Sequence, residues 1–551
     1  MRDGDYQATI FAGTRDGLQA AIDYINAGTL GGEIRIGPGT LLLASGITLA
    51  SDLKIVGSGM GVTTLKHSGT TLHSLISGTS VGQIVLSDFT LDGDMAGVTS
   101  SAADRWDREP AIDLDTVTDL VIQNVELTAH EGQAIYGTSC ARVRIEGCWI
   151  HDTDNWGSIF KVADDVRYIN NVVDTVYTHG LYVDSQTSAS GSSRVYFIGN
   201  TVLNVQHDTS HAASGVGISV QKATSTSGVY DVVCIGNCCK NNGSMGFSMT
   251  PGSRVNGHAG KMTIIGNHSE GHTAQSGIGY EIIGSHVTAS GNTAKNNKYH
   301  FTANDSKGLA LTGNKTISAI GSTQIHYILT PAAATDWIED YLLADNIIEG
   351  GTGFQVDSTS TNTPHTNITI KGNQFLYCDF AVLMQGNCLN VLIDGNLCDA
   401  NHASVGTGRG IQVYGDKVTV SNNMVWAKTA AGDGITVSSG QTTDQLVLTG
   451  NHIFSARNGL GFFGTVTTLI ANGNMISGAG TADTTGKNIV TNWRDGGNNS
   501  WNFVTAAPTT QHWHVGTKVY DTAVAAAGNI GWVCTTAGTP GTWKTWGVVA
   551  A

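Results

Sequence analysis

The stretch INNVVDTVYTHGLYVDS (169–185) places Asp174, His179, Tyr182 and Asp184 within eleven residues of one another. Just upstream, HDTDNWGSIFKVADD (151–165) supplies His151, Asp152, Asp154, Trp156, Lys161, Asp164 and Asp165, TAHEG adds His130 and Glu131, and GIGYEII adds Glu281. Carboxylates in this number suit general acid–base hydrolysis, in which one carboxyl holds a proton while another activates water. A lysine, a histidine and a tyrosine close together suit proton abstraction beside a neutralised carboxylate. The candidate catalytic set is Asp154, Lys161, Asp164, His179, Tyr182, Asp184 and Glu281, with Tyr136, Trp156, Arg194 and Gln221 as candidate substrate contacts. Plainer readings compete with each: aspartates form turns, and Lys161 with Asp184 is also an ordinary surface ion pair. No metal site is expected, because no calcium-loop or zinc-like spacing is present.

These residues sit in a repeat. The motif apolar-x-apolar-x-(Gly/Asn/Asp)-Asn recurs with its final asparagine at 171, 200, 237, 267, 292, 314, 346, 373, 396, 423, 451 and 474, at spacings of 22 to 37 residues. Looser copies end at Cys148 and Val125. A second short strand led by glycine follows most copies, as in GLYV at 180, GISV at 217, GFSM at 246, GIQV at 410, GITV at 434 and GLGF at 459. A unit this short cannot bury its own apolar side, so the copies must stack as coils of a parallel β-solenoid. Stacked asparagine amides would then bond from coil to coil. The alternation of GLYVDS turns Leu181 and Val183 inward and Tyr182 and Asp184 outward, and SIFKVAD likewise turns Lys161 outward. Lys161 and Asp184 each lie thirteen residues past their turn position, which predicts neighbours on adjacent coils. Loops at 184–193, 206–215, 221–231 and 250–260 are expected to wall a groove over coils 125–285.

The ends differ from this body. TRDGLQAAIDYINAG predicts a short amphipathic helix with Thr14 or Asp16 as its cap and Gly28 closing it, covering the open end of the solenoid. Beyond about residue 500 the chain becomes dense in tryptophan and hairpin signals, which predicts a small separate β unit. Charged residues are only 13% of the chain, and the formal net charge of −15 argues against a general nucleic-acid binder. No run approaches the length of a membrane span, and the N-terminus lacks the apolar core of a signal peptide. Nine cysteines without paired spacing read as small buried hydrophobes.

The order of helix, GGEIRIGPGT, DLKIVGSGMGVTTL and repeated IxGN coils resembles the pectate-lyase-like right-handed β-helix superfamily, over residues 5–495. The segment GTKVYDT…GNIGWVCTTAGTPGTWKTWG resembles one found at the C-terminus of phage and prophage β-helix proteins. The resemblance implies an all-β, right-handed parallel β-helix with an N-terminal capping helix. Its expected parts are a cap with first strands (1–65), the β-helix (66–495) and a small C-terminal β domain for trimerisation or glycan contact (496–551). It further implies a homotrimeric phage tailspike depolymerase acting on a bacterial surface polysaccharide, carried on the virion tail and joined to a baseplate or tail adaptor. Hydrolysis is favoured over β-elimination. The alternatives are a non-catalytic tail adhesin and a secreted polysaccharide lyase or epimerase. No cofactor is expected for hydrolysis, whereas a lyase of this superfamily could use Ca2+. The motifs DTDN, ADD and THG are similar to polygalacturonase motifs, but Asp154 and Asp164 are only ten residues apart, less than one coil, so that family's roles are not transferred.

Overall fold

The computed structural model describes the whole chain except residues 1–12, 29–30, 99–107, 186–190, 208–214, 222–227, 252–260, 273–275, 305, 331–337, 358–363, 403, 406–407, 428–431, 455–456, 479–481, 486–489, 496–498, 500–501, 511 and 551. At least half of each of the four loops expected to wall a groove therefore lies outside the described residues. Two compact units are present, Met1–Lys298 and Tyr299–Ala551.

In the first unit, helix α1 (Arg15–Ala27) begins where the sequence places it. Thr14 Oγ1 accepts from Gly17 N–H at 3.1 Å, and the Gly28 N–H closes the last turn on Ile25 C=O. Leu18, Ala21, Ile22 and Ile25 form its buried face. The coils that follow hold three strands each, one more than the sequence motif marks, because a short strand also follows the asparagine turn. Each strand pairs in parallel with its equivalent in the next coil: Ala141–Glu146 with Asp164–Ile169, and Trp149–Thr153 with Val172–Val176. The third series forms a second array: β1 (Ile112–Asp115), β2 (Ile135–Thr138), β3 (Ser158–Lys161), β4 (His179–Asp184), β5 (Val216–Gln221), β6 (Met245–Thr250) and β7 (Ile278–Ile282).

The asparagine position explains the repeat motif. Asn200 Oδ1 accepts from both Asn171 N–H (3.0 Å) and Asn171 Nδ2 (2.9 Å), and the same two bonds recur from Asn200 to Asn237 and from Asn237 to Asn267. Each amide also donates inward to a strand carbonyl, as Asn237 does to Phe197 at 2.9 Å. The residue before the asparagine is left-handed, with φ near +65° at Gly199 and Gly236 and 52° at Asn170. Only glycine, or asparagine and aspartate with their short polar side chains, adopt that conformation readily. The glycine leading the third strand has a different cause: a Cβ at Gly180, Gly217 or Gly246 would lie 2.6, 2.7 or 2.8 Å from the carbonyl oxygen of the next coil.

The second unit repeats this coil. Its ladder runs Asn314, Asn346, Asn373, Asn396, Asn423, Asn451 and Asn474, then reaches Asn499, one step beyond the motif. Its third-strand array includes β8 (Arg409–Val413), β9 (Asp433–Val437) and β10 (Asn458–Phe462). A four-stranded sheet formed by Phe503–Val504, Lys518–Asp521, Asn529–Thr536 and Thr542–Val548 is separate from the coil arrays. Among the described residues no helix is long and apolar enough to cross a membrane. None of the nine cysteines is in a disulfide, and all but Cys238 are buried.

Candidate active site

Alternation along β1–β5 sends two columns of side chains outward. One column is Asp113, Tyr136, Ile159, Tyr182, Ser219, and it continues through Ser248 to Glu281 on β7. The other is Asp115, Thr138, Lys161, Asp184, Gln221. Neighbours within a column are about 4.8 Å apart. Lys161 and Asp184 are therefore adjacent, as their spacing predicts. Trp156, Ile159 and Tyr182 pack into an outward apolar cluster, with Tyr136 against it. Lys161 Nζ lies over this cluster, 5.3 Å from the Tyr136 ring centre and 5.7 Å from that of Trp156.

Several sequence expectations change once burial is known. Trp156 and Tyr182 are 3% and 8% exposed, so they are wall residues and not open stacking platforms. Tyr182 O–H donates to Gln221 Oε1 at 3.2 Å, and burial with the nearby Asp184 carboxylate pushes its phenol well above its usual range. His179 is buried and stacked on Tyr182 with ring centres 4.6 Å apart, and neither ring nitrogen has a hydrogen bond among the described residues. Burial pushes its imidazole down to about 3, which leaves a neutral packing residue and not a solvent-reached acid or base.

The aspartates of 151–165 separate. Asp154 is ion-paired to Arg108 at 2.5 Å and accepts no place in either column. Asp164 begins a strand of the other array, where Ser193 Oγ donates to it at 2.5 Å and the Arg194 guanidinium pairs with it. Arg194 is thereby placed with Asp164 and away from the two columns. Asp152 pairs with His151 at 2.7 Å, and Asp165 with Arg167 at 2.7 Å. Glu281 does share the first column, but it is three rungs from Tyr182, about 14 Å. Ser248 Oγ donates to its carboxylate at 2.9 Å, and burial raises its pKa.

The site instead extends in the other direction, to residues the motif reading passed over. Asp113 and Asp115 are two residues apart on β1 and both face outward, which sets their Cα atoms about 6.6 Å apart. Burial raises the Asp113 pKa first, and the Glu109 and Asp115 carboxylates raise it further. A carboxyl of raised pKa beside a more exposed one is the arrangement in which acid and base roles divide. One rung away stands Tyr136, and two rungs from Asp115 stands Lys161. No group of three or more metal-ligating side chains suited to an ion occurs among the described residues.

Residues 338–476 match the family model described as "Right handed beta helix region". The fold is a right-handed parallel β-helix. The chain is similar to solved structures at low identity. The mannuronan C-5 epimerase AlgE6 A-module of Azotobacter vinelandii is 16% identical over 85% of this chain and 94% of that one, with a TM-score of 0.31. The catalytic unit of a GH87 α-1,3-glucanase from Streptomyces thermodiastaticus is 14% identical over 90% and 67%, with a TM-score of 0.37. Tailspike protein 3 of bacteriophage CBA120 is 12% identical over 98% and 70%, with a TM-score of 0.34. No curated protein matches the sequence.

In this β-helix a signal for Asp113 was present in the sequence. Ile112, Ile135, Ser158 and Leu181 occupy one register and are each 23 residues apart, so IDLD (112–115) is the same strand as GLYVD three coils earlier. The asparagine motif begins only after it and does not mark that coil.

Proposed function

We propose that this β-helix hydrolyses glycosidic bonds of a bacterial surface polysaccharide, with Asp113 as general acid and Asp115 as the base that activates water. The observation that carries the reading is the pair of outward carboxyls on β1, one of them with its pKa raised by burial and by its acidic neighbours. Inverting glycoside hydrolysis uses two carboxyl groups about 6.5–9.5 Å apart, and side chains rising from Cα atoms about 6.6 Å apart on one strand face can span such a gap. Asp113 protonates the leaving oxygen as the glycosidic C–O bond breaks. Water attacks from the opposite side and passes its proton to Asp115. Tyr136, with the Lys161 stem and head beside it, supplies a flank for the sugar ring.

The C-terminal resemblance supports a tailspike setting, with the chain homotrimeric and acting outside the phage. β-Elimination has less support. It would need Tyr182 or His179 to exchange protons with substrate, and both are buried in their neutral forms.

The test is reducing-end release from a panel of bacterial capsular and exopolysaccharides, with ultraviolet absorbance followed in the same wells. The reading expects new ends without absorbance gain and a product of inverted anomeric configuration. Asp113→Asn and Asp115→Asn should each slow release by about 10²–10⁴-fold. A rise in absorbance would mean an unsaturated uronate and elimination. Binding without any cleavage would identify an adhesin.

A further inference from the structure

The unit Tyr299–Ala551 carries a cavity of about 390 Å3 beside β8–β10, lined among others by Arg409, Gln412, Asp433, Thr436, Arg457 and Phe463. Gln412, Thr436 and Gly461 share one register across the three strands. The missing side chain at Gly461 gives room for the Phe463 ring, whose Cε2 lies 2.6 Å from where a Cβ would be. Phe463 is nonetheless 40% exposed, so one face of its ring remains open.

The charges of this cavity are unevenly satisfied. Asp433 is 3% exposed and fully engaged: Arg457 holds it through Nε (3.0 Å) and Nη2 (2.6 Å), and Asn458 Nδ2 donates to it at 2.7 Å. That pair cancels in charge. Asp379 accepts from the Gly408 N–H at 3.1 Å. Arg409 is different. Its guanidinium stacks over the Phe380 ring at 5.2 Å, its Nε is buried without an acceptor, and no carboxylate pairs with it among the described residues. Gln412 is only 6% exposed and lines the same cavity. A half-buried guanidinium with an orphaned Nε and no carboxylate partner among the described residues presents a planar fork that matches a carboxylate. A side-chain amide and an exposed aromatic ring beside it are what a hydroxylated ring requires.

We infer that this cavity is a second glycan site that takes a carboxylate-bearing sugar residue, such as a uronic acid, with the carboxylate on Arg409. The ring lies on Phe463, and its hydroxyls meet Gln412 and Thr436. The inference borrows from the proposed function only that the chain meets polysaccharide. It requires no cleavage at Asp113, which belongs to the other unit.

The test uses the full chain, with trigalacturonate and its neutral methyl ester as probes, followed by saturation-transfer NMR and calorimetry. Trigalacturonate is expected to bind, and the ester to bind roughly tenfold more weakly or not at all. Arg409→Gln should weaken trigalacturonate by roughly tenfold or more, and Arg409→Lys by less, because the charge remains and the fork is lost. Gln412→Ala should weaken it several-fold with no change in charge, and Asp113→Asn should leave it unchanged. Thermal melting reports whether each variant is folded. The site is overturned if folded wild-type protein does not bind trigalacturonate, if the ester binds equally well, or if both Arg409→Gln and Gln412→Ala bind like wild type. Those outcomes leave cleavage at Asp113 unaffected, and loss of cleavage leaves this binding unaffected, so the two readings fail separately.

Discussion

At the scale of single residues, Asp113 and Glu281 show how burial divides the carboxyls of one column. Both have raised pKa values, Asp113 from burial plus two acidic neighbours and Glu281 from burial alone, opposed by the Ser248 hydrogen bond. A carboxyl with a raised pKa stabilises the fold below the ordinary carboxylate range, and that contribution is lost as pH climbs through its folded pKa. Glu281→Gln removes the penalty while keeping an oxygen acceptor for Ser248. The variant should match wild type near pH 4 and become the more stable protein at pH 8. Chemical denaturation at the two pH values checks this, and a difference of opposite sign would show Glu281 held as a stabilised carboxylate. Of the original candidates, Lys161, Tyr182 and Asp184 lie in the columns where alternation places them. Asp154, Asp164 and Arg194 lie elsewhere, because ten residues of chain carry Asp164 past a corner into the other array.

At the scale of the element, the coil turn carries two separable costs. Asn373 accepts from Asn346 N–H and Nδ2 and donates to Leu343 C=O and Asn396 Oδ1. Asn373→Ala leaves these buried groups unpaired at once, and about 3 kcal/mol of stability should be lost, read as a shift in denaturant midpoint. Gly236 has φ +65° and nothing within 4 Å of its Cβ position. Gly236→Ala should therefore cost only the backbone term, about 1–2 kcal/mol. Gly236→Asn should cost less, since Asn170 and Asn422 hold the same turn position at φ 52° and 55°. If alanine and asparagine proved equally costly, side-chain crowding and not backbone conformation would set the turn residue. This layer was fully legible in sequence, because each turn repeats one local requirement.

At the scale of the molecule, the long apolar stack buries histidines that the sequence presents as ordinary. Burial lowers His130, His272 and His365 to about 4 and His179 to about 3. Each favours its neutral form in the fold. Its stabilisation is complete above the unfolded value of 6.5 and is lost as pH falls towards the folded value. The loss is about 1.4 kcal/mol per pH unit for each group within that window. Urea midpoints should therefore fall steeply between pH 6.5 and pH 4.5, before the carboxylate of Glu270, held down at about 2 by Lys295 and burial-opposed hydrogen bonds, is protonated. A flat profile over that range would mean that these rings gain protons without unfolding.

The amino-acid sequence by itself determined the coil, its inward and outward faces, the asparagine ladder and the capping helix. Each of these follows from a local rule applied again at every repeat, so neighbouring copies reinforce the pattern. Tertiary structure decided which polar residues meet. Stacking joins residues one coil apart, and coil lengths vary, so Asp115 and Lys161 share a column although 46 positions separate them while Asp154 and Asp164, ten apart, do not. It also decided charge and protonation. Those depend on how much water each group keeps and on which charges stand beside it, as at Asp113 and His179, and neither quantity is carried by residue type or spacing.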